Sequence, residues 1–369
     1  MMFFVRSSII RHMMIKAFFV CLFTFSLSGM CLSADLSVMT GQMIMIGVKD
    51  TSPEGISLVK TQIAEGKIGG VVLYKYNIEN PRQIRRFNND LKKAAGNGSP
   101  VLFTAVDQEG GRVQRLVPEK GFGRYLSHQE TAAKLTPEQA FEQYFKMASE
   151  AAAAGFNVNF APSADLNVNP DSPIIGRLGR SFSADAGTAV VYAGEFVKAH
   201  NKAGIAASIK HFPGHGSAMS DSHLGFTDVT DTWTEKELEP FRLLIEKGLA
   251  PSVMTAHVFN AKIDPVYPAT MSEKHLGILR ERMGYDGVIF TDDLQMGAVR
   301  DNFPLEEVIV RAVQAGADVL VYSNFFFNDP DFPHKAADII KKAVEDGRIS
   351  IGSIERSYAR ILELKRNLR

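Results

Sequence analysis

Eight short apolar runs recur along this chain, each followed by a longer amphipathic or polar stretch. They are Met43–Val48, Gly69–Tyr74, Val101–Val106, Phe156–Pro162, Ile205–Lys210, Pro251–His257, Gly287–Asp292 and Asp318–Tyr322. Each is too short for a helix and rich in β-branched or other apolar side chains. Near-continuous apolar runs suit strands covered on both faces, as in a parallel sheet. Between them lie helix signals. Thr136 reads as an N-cap, Pro137 as the first helical residue, Gln139 as the partner in a capping box and Gly155 as the stop. The stretches Ser272–Tyr285 and Leu305–Asp318 each meet a glycine before the next strand, and Ile354, Tyr358, Ile361 and Leu362 form one stripe near the C-terminus. Strands alternating with helices in this way predict an α/β fold, a single-domain (β/α)8 barrel of the TIM type. A doubly wound open sheet is the alternative.

Residues 1–34 read separately. Arg6, Arg11 and Lys16 precede the apolar run Ala17–Met30, and small residues follow before Asp35. That is the layout of a cleavable secretory signal, and the run is short for a membrane span. The expectation is a signal over 1–34, a catalytic barrel over 35–369, and a periplasmic or secreted protein that meets a membrane only through that signal. Cys31 invites a lipid anchor, but Met30 before it fits such a site poorly. Cys21 and Cys31 both lie in this segment, so the mature chain has no disulfide to form and must draw its stability from a core. The chain has 41 basic and 41 acidic residues. That balance argues against nucleic acid or an anionic membrane as partner.

Active sites of such barrels lie where the strands end at their C-terminal face. The polar residues there are Asp107, Asp165, Lys210 with His211, His257, Asp292 with Asp293, and Ser323 with Asn324. The stretch SIKHFPGHGSAMSDSHLGF, Ser208 to Phe226, is the densest in chemistry. A metal site, a phosphate loop, an acid–base loop and an ordinary turn all compete for it. Pro213 and Gly214 deny its histidines a helical i, i+4 face, and Gly214 and Gly216 lack a following P-loop lysine. For His215 alone, holding the loop is the favoured role.

Two further stretches, AVDQEGGRVQRL (Ala105–Leu116) and ILRERMGYDGVIFTDDLQ (Ile278–Gln295), place an aspartate directly after an apolar strand. With KHFPGHG and DSH they resemble glycoside hydrolase family 3, and within it the β-N-acetylglucosaminidases that act on peptidoglycan fragments. The resemblance implies a retaining enzyme with Asp292 as nucleophile, and His223 as acid/base oriented by Asp221. It implies sugar binding by Asp107, Arg115, Arg180, Lys210 and His211. Asp293 is expected to cap a turn or serve as a supporting acceptor. The segment around Arg180 is longer than in the short relatives, so Arg177 competes for that role. Glu109 and Arg112 either hold a loop or form a surface pair. The implied substrates are carbohydrates with terminal β-linked N-acetylglucosamine, from peptidoglycan or chitin, and the implied enzyme is a monomer without metal or organic cofactor. A family 3 β-glucosidase or β-xylosidase, an N-acetylglucosaminide phosphorylase, and an inactive envelope sugar-binding protein are the alternatives. Phe325, Phe326 and Phe327 cannot all face a core. They either wall the mouth of the site or pack a loop on the barrel, and the second reading is favoured.

Overall fold

The computed structural model describes residues 34–368. The signal features from Arg6 to Cys31 lie outside the described residues. All eight apolar runs contribute strands: β1 (Ile44–Gly47), β2 (Gly70–Leu73), β3 (Phe103–Val106), β4 (Val158–Asn159), β5 (Ala206–Phe212), β6 (Ser252–Thr255), β7 (Val288–Phe290) and β8 (Leu320–Tyr322). Each pairs in parallel with its sequence neighbour, and β8 pairs with β1. A parallel bridge between Phe290 and Val319 joins β7 to β8 and closes the ring. That closure rules out the open doubly wound sheet. The fold is a (β/α)8 barrel.

Buried side chains fill the interior. Phe103 of β3 and Phe290 of β7 meet edge-on at 5.7 Å between centroids, and Phe160, just past β4, meets Phe290 at 5.3 Å. From below, Lys365 of the C-terminal helix (Ile351–Arg366) reaches within 4.4 Å of the Phe103 ring centre. Its ammonium donates to Gln42 Oε1 at 2.6 Å and to the Gly69 carbonyl at 2.8 Å. On that helix Ile354 and Ile361 are buried as expected, joined by Ser357 and Lys365, while Tyr358 and Leu362 are half-buried.

The capping box at Thr136 and Gln139 is formed and opens helix Pro137–Ala153. One expected helix is divided. After Glu273–Gly277 the backbone widens to an i→i+5 turn over Ile278–Arg282. Arg280, in the widened segment, donates to the carbonyls of Tyr285, Gly287 and Gly316 and to Asp318. The loop after β5 is long and carries structure of its own. Thr227–Asp228 pairs in parallel with Val258–Phe259, over a small cluster of Ala218, Val229, Ala256, Val258, Ala269 and Trp233. Among the described residues no helix is long and apolar enough to cross a membrane.

Candidate active site

A cavity of about 550 Å³ opens at the C-terminal ends of the strands. Val72 of β2, Phe160 after β4, Met254 of β6 and Val321 of β8 line its apolar part. One side chain from each alternate strand is the layer geometry of such barrels. Asp107, Arg115, Arg180, Lys210, His211, Asp221, His223 and Asp292 line the same cavity, so every site residue expected from sequence converges on it.

Asp292 follows β7. A chain of hydroxyls holds the turn it sits on. Its N–H donates to Thr255 Oγ1 at 3.3 Å, Thr255 and Thr270 hydroxyls share a 2.7 Å bond, and Thr270 Oγ1 lies 2.8 Å from His257 Nδ1. His257 Nε2 donates to the Asp293 carbonyl at 2.9 Å. Burial works against the Asp292 carboxylate, but the surrounding His257, His211 and His223 and the N–H of Asp293 outweigh it, and its pKa is lowered. Asp293 is the contrary case. Its carboxyl accepts from the N–H groups of Gln295 and Ser323 and from the Ser323 hydroxyl. Burial nevertheless pushes it up to about 6. It ties the β7 loop to the β8 loop, the supporting role expected of it.

Asp221 and His223 sit on the β5 loop. Asp221 Oδ1 accepts from the backbone N–H of His223 at 2.9 Å and bonds its Nδ1 at 2.7 Å. That fixes the proton on Nδ1 and leaves Nε2 for other work. Desolvation opposes the imidazolium, but the bond to Asp221 and the charges of Asp292 and Asp221 outweigh it, so the His223 pKa is raised. The loop is docked. Ala298 N–H donates to Ser222 O at 3.2 Å and Gly297 N–H to His223 O at 3.3 Å, both from the segment following Asp292. Buried His215 bonds the Ser222 hydroxyl through Nε2 at 3.0 Å, which is the loop-holding role expected of it.

The opposite wall is a buried ionic network. Lys210 Nζ lies 2.8 Å from Asp107 and 2.9 Å from Glu109. Arg180 grips Glu109 with two bonds of 2.9 and 2.7 Å, and Arg115 lies 3.5 Å from the outer oxygen of Asp107. Burial opposes ionisation of Asp107, yet Lys210 and Arg115 hold its carboxyl below the usual range. Arg180 also donates to His211 Nε2 at 3.1 Å. A guanidinium only donates, so His211 carries its proton on Nδ1 and gives it to Asp165 at 2.6 Å. Lys210 and His211 line the same cavity where the β5–β6 register shifts.

The structure adds to or adjusts the sequence reading in five places. Glu109 is buried at the centre of the network, so it is no surface pair, whereas Arg112 is exposed. Arg180 is the buried arginine, and Arg177 is exposed beside Asp171. Phe325 and Phe326 wall the cavity mouth, while Phe327 packs edge-on against Tyr322 at 6.2 Å. Asp165 and His257, seen in the sequence only as rim residues, orient His211 and the Asp292 turn. Tyr74 and Tyr76, which also line the cavity, were missed; their position directly after β2 was the available signal. Among the described residues no group of three or more histidines and carboxylates is arranged to hold a metal ion.

A carboxylate held ionised and an imidazole with a raised pKa thus line one cavity at the C-terminal face of a (β/α)8 barrel, and groups of these two kinds are what the glycoside hydrolase class can use to break an acetal. The N-terminal domain of glycosyl hydrolase family 3 matches residues 36–364, and the chain belongs to that family. It is 33% identical over 328 residues to beta-hexosaminidase A of Pseudoalteromonas piscicida, covering 83% of this chain and 54% of that protein. The chain thus spans about half of that relative's length. Beta-hexosaminidase LpqI of Mycobacterium tuberculosis is 30% identical over 333 residues, with 88% of this chain and 81% of that one covered. Among solved structures, the family 3 beta-N-acetylglucosaminidase from Paenibacillus sp. str. FPU-7 superposes with a TM-score of 0.82 at 36% identity, covering 90% of this chain and 62% of that one.

Proposed function

We propose that this chain is an exported, retaining exo-β-N-acetylglucosaminidase that removes terminal β-linked N-acetylglucosamine from peptidoglycan fragments or chitin oligosaccharides. The observation that carries the reading is the His223–Asp221 pair on the same cavity as the lowered-pKa carboxylate of Asp292. The relatives named as beta-hexosaminidases and as a beta-N-acetylglucosaminidase support the substrate class.

In this mechanism an Asp292 oxygen attacks the anomeric carbon. As the carbon–oxygen bond to the aglycone breaks, the departing oxygen takes the proton from His223 Nε2. The product is a glycosyl ester on Asp292. His223, now neutral, takes a proton from water through the same nitrogen. The hydroxide oxygen attacks the anomeric carbon, and Asp292 leaves as carboxylate with the β configuration restored. Asp221 supports the imidazolium and keeps Nε2 turned to the sugar. Asp107, Arg115, Lys210, Arg180 and His211 are assigned to the sugar's hydroxyl and acetamido groups.

Turnover of a chromogenic N-acetyl-β-glucosaminide separates an enzyme from a sugar-binding protein. A slow fluorinated glycosyl donor should then label Asp292. A label on Asp293, or an inverted first product by NMR, overturns the assignment. Export is tested by intact mass of the protein from its native host. A full N-terminus on soluble cytoplasmic protein overturns it.

A further inference from the structure

The mouth of the cavity carries more aromatic surface than the chemistry below it uses. Tyr74 and Tyr76 follow β2, Phe325 and Phe326 follow β8, and all four line the cavity that holds Asp292 and His223. Their rings form one cluster. Tyr74 and Tyr76 stack at 5.7 Å between centroids, Phe325 lies 5.4 Å from Tyr74 and 6.2 Å from Tyr76, and Phe326 meets Phe325 edge-on at 5.5 Å.

The segment bearing the phenylalanines is firmly held. Ser323 Oγ accepts from the Phe325 N–H at 3.0 Å, and Gln295 accepts from the Phe326 N–H at 3.3 Å and donates to the Phe327 carbonyl at 2.9 Å. Asn324, at φ 52°, anchors the turn through its amide to the Gly47 carbonyl at 2.9 Å. Phe325 and Phe326 still leave 45% and 40% of their surface exposed. A fixed backbone that presents uncovered apolar rings beside a catalytic cavity marks a binding surface. Two ammonium groups flank it. Lys49 Nζ stands 5.0 Å from the Tyr76 centroid and 5.3 Å from that of Phe325, with the Phe325 carbonyl as its hydrogen-bond partner. Lys75 is exposed and also lines the cavity. Neither is in an ion pair among the described residues.

We infer that this rim is the aglycone subsite, which takes the second sugar ring of the substrate with its C–H face on the aromatic cluster and favours a ring that carries a carboxylate. The inference rests on the glycosidase reading. An exo-acting enzyme holds the terminal sugar at Asp292, so the next ring must pass through the mouth, where these four rings stand. A pyranose turns an apolar C–H face to an aromatic ring. The lysines lack a protein anion and supply one sign of charge. A chitin ring is neutral, whereas the second sugar of a peptidoglycan fragment bears an acidic ether, so the charge selects the latter.

The test compares kcat/KM on three substrates: methyl N-acetyl-β-glucosaminide, neutral di-N-acetylchitobiose, and N-acetylglucosaminyl-N-acetylmuramic acid. The wild type should prefer both disaccharides to the methyl glycoside. It should also prefer the acidic one to the neutral one by about fivefold at low salt, a margin that shrinks in high salt. Phe325→Ala/Phe326→Ala should lower the disaccharide-to-methyl ratio about tenfold. Phe325→Leu/Phe326→Leu, which retains bulk, should lower it in the same direction. Lys49→Gln/Lys75→Gln should abolish the acidic preference and keep the disaccharide preference. Equal losses on all three substrates in the phenylalanine variants overturn the subsite and leave the hydrolase reading standing. A wild type that treats acidic and neutral disaccharides alike overturns the charge selection. A wild type that cleaves none of the three overturns the hydrolase reading itself, and this inference with it.

Discussion

Glu109→Gln is the sharpest probe of the buried ionic network of Asp107, Glu109, Arg180 and Lys210. Glu109 accepts from Arg180 through both oxygens, and Oε1 also faces Lys210 at 2.9 Å. All three groups are buried. The amide removes the charge and turns a donor toward one of the two cations. Removing one partner of a buried pair costs about 3–5 kcal/mol, because the other charge stays behind unpaired. Here Lys210 keeps Asp107 at 2.8 Å, whereas Arg180 falls back on the neutral Ile174 carbonyl and His211 Nε2. The loss should therefore sit at the lower end, about 3 kcal/mol, which moves the urea midpoint of a chain this long by somewhat less than about 1 M. The exposed pair Arg282–Glu235 is the control, and Glu235→Gln should leave the midpoint unchanged. Burial opposes the Glu109 charge, but Arg180 and Lys210 outweigh it and hold the carboxyl well below its usual range. The stability it contributes is thus full above the ordinary glutamate pKa, and is lost as pH falls through the folded value. The gap between wild type and Glu109→Gln should accordingly narrow on acidification below about pH 4.5. A midpoint shift no larger than that of Glu235→Gln would refute the reasoning and return Glu109 to a surface-like role.

Asp221→Asn should move the alkaline limb of the kcat/KM profile to lower pH, because the carboxylate no longer favours the imidazolium on His223. The rate loss should be smaller than the roughly 10²- to 10⁴-fold expected from removing a general acid; an unmoved limb in the measured profile would count against the pair. Gly216→Ala should destabilise the β5 loop and cut activity, since a Cβ there would stand 1.8 Å from the Leu166 carbonyl oxygen; melting and turnover measured together check it, and wild-type values for both would refute the packing. Burial lowers Lys365 to about 7, so the unfolded chain binds more protons than the folded one between there and the ordinary lysine value. Relative to Lys365→Met, the wild type should therefore gain about 1.4 kcal/mol of stability per pH unit above pH 7 in denaturant titrations, and a flat difference would show that the ammonium titrates normally.

The strands were legible because a strand buried on both faces leaves a continuous apolar run, and such runs survive in a single sequence. The Asp221–His223 pair was legible for a different reason. Asp221 and His223 are two residues apart, so one short motif contains the whole interaction. What escaped was built over distance. Glu109 has Arg112 as its sequence neighbour, which suggests a surface pair, but its partner is Arg180, 71 residues on. Asp165 orients His211 across 46 residues. The broken helix at Ile278–Arg282 failed for a third reason: its periodicity is helical, and the widened turn coincides with the long-range bonds of Arg280 to Gly316 and Asp318.

On the proposed mechanism, the loop that carries His223 combines two requirements that ordinarily conflict. His223 must stand accurately beside Asp292, yet it must let an aglycone leave and water enter between two steps. The bonding separates these demands along the loop. Its base is fixed: Glu237 accepts from the N–H groups of Gly216 and Ser217, Trp233 donates to the Pro213 carbonyl, and His215 donates its own N–H to Asp165. Its tip is open, with Met219 at 69% and Leu224 at 82% exposure. Between base and tip, three bonds hold the dyad against its surroundings: His215 to the Ser222 hydroxyl, and the two N–H groups of Gly297 and Ala298 to the carbonyls of His223 and Ser222. Those last two donors belong to the segment that follows Asp292. His223 and Asp292 are therefore registered to each other through backbone rather than through long side chains, whose rotamer freedom would blur the spacing. Those three bonds are neutral, at about 1 kcal/mol each, so the loop movement that the proposed mechanism requires would break less there than at the base, where buried Glu237 and Asp165 accept the loop's N–H groups.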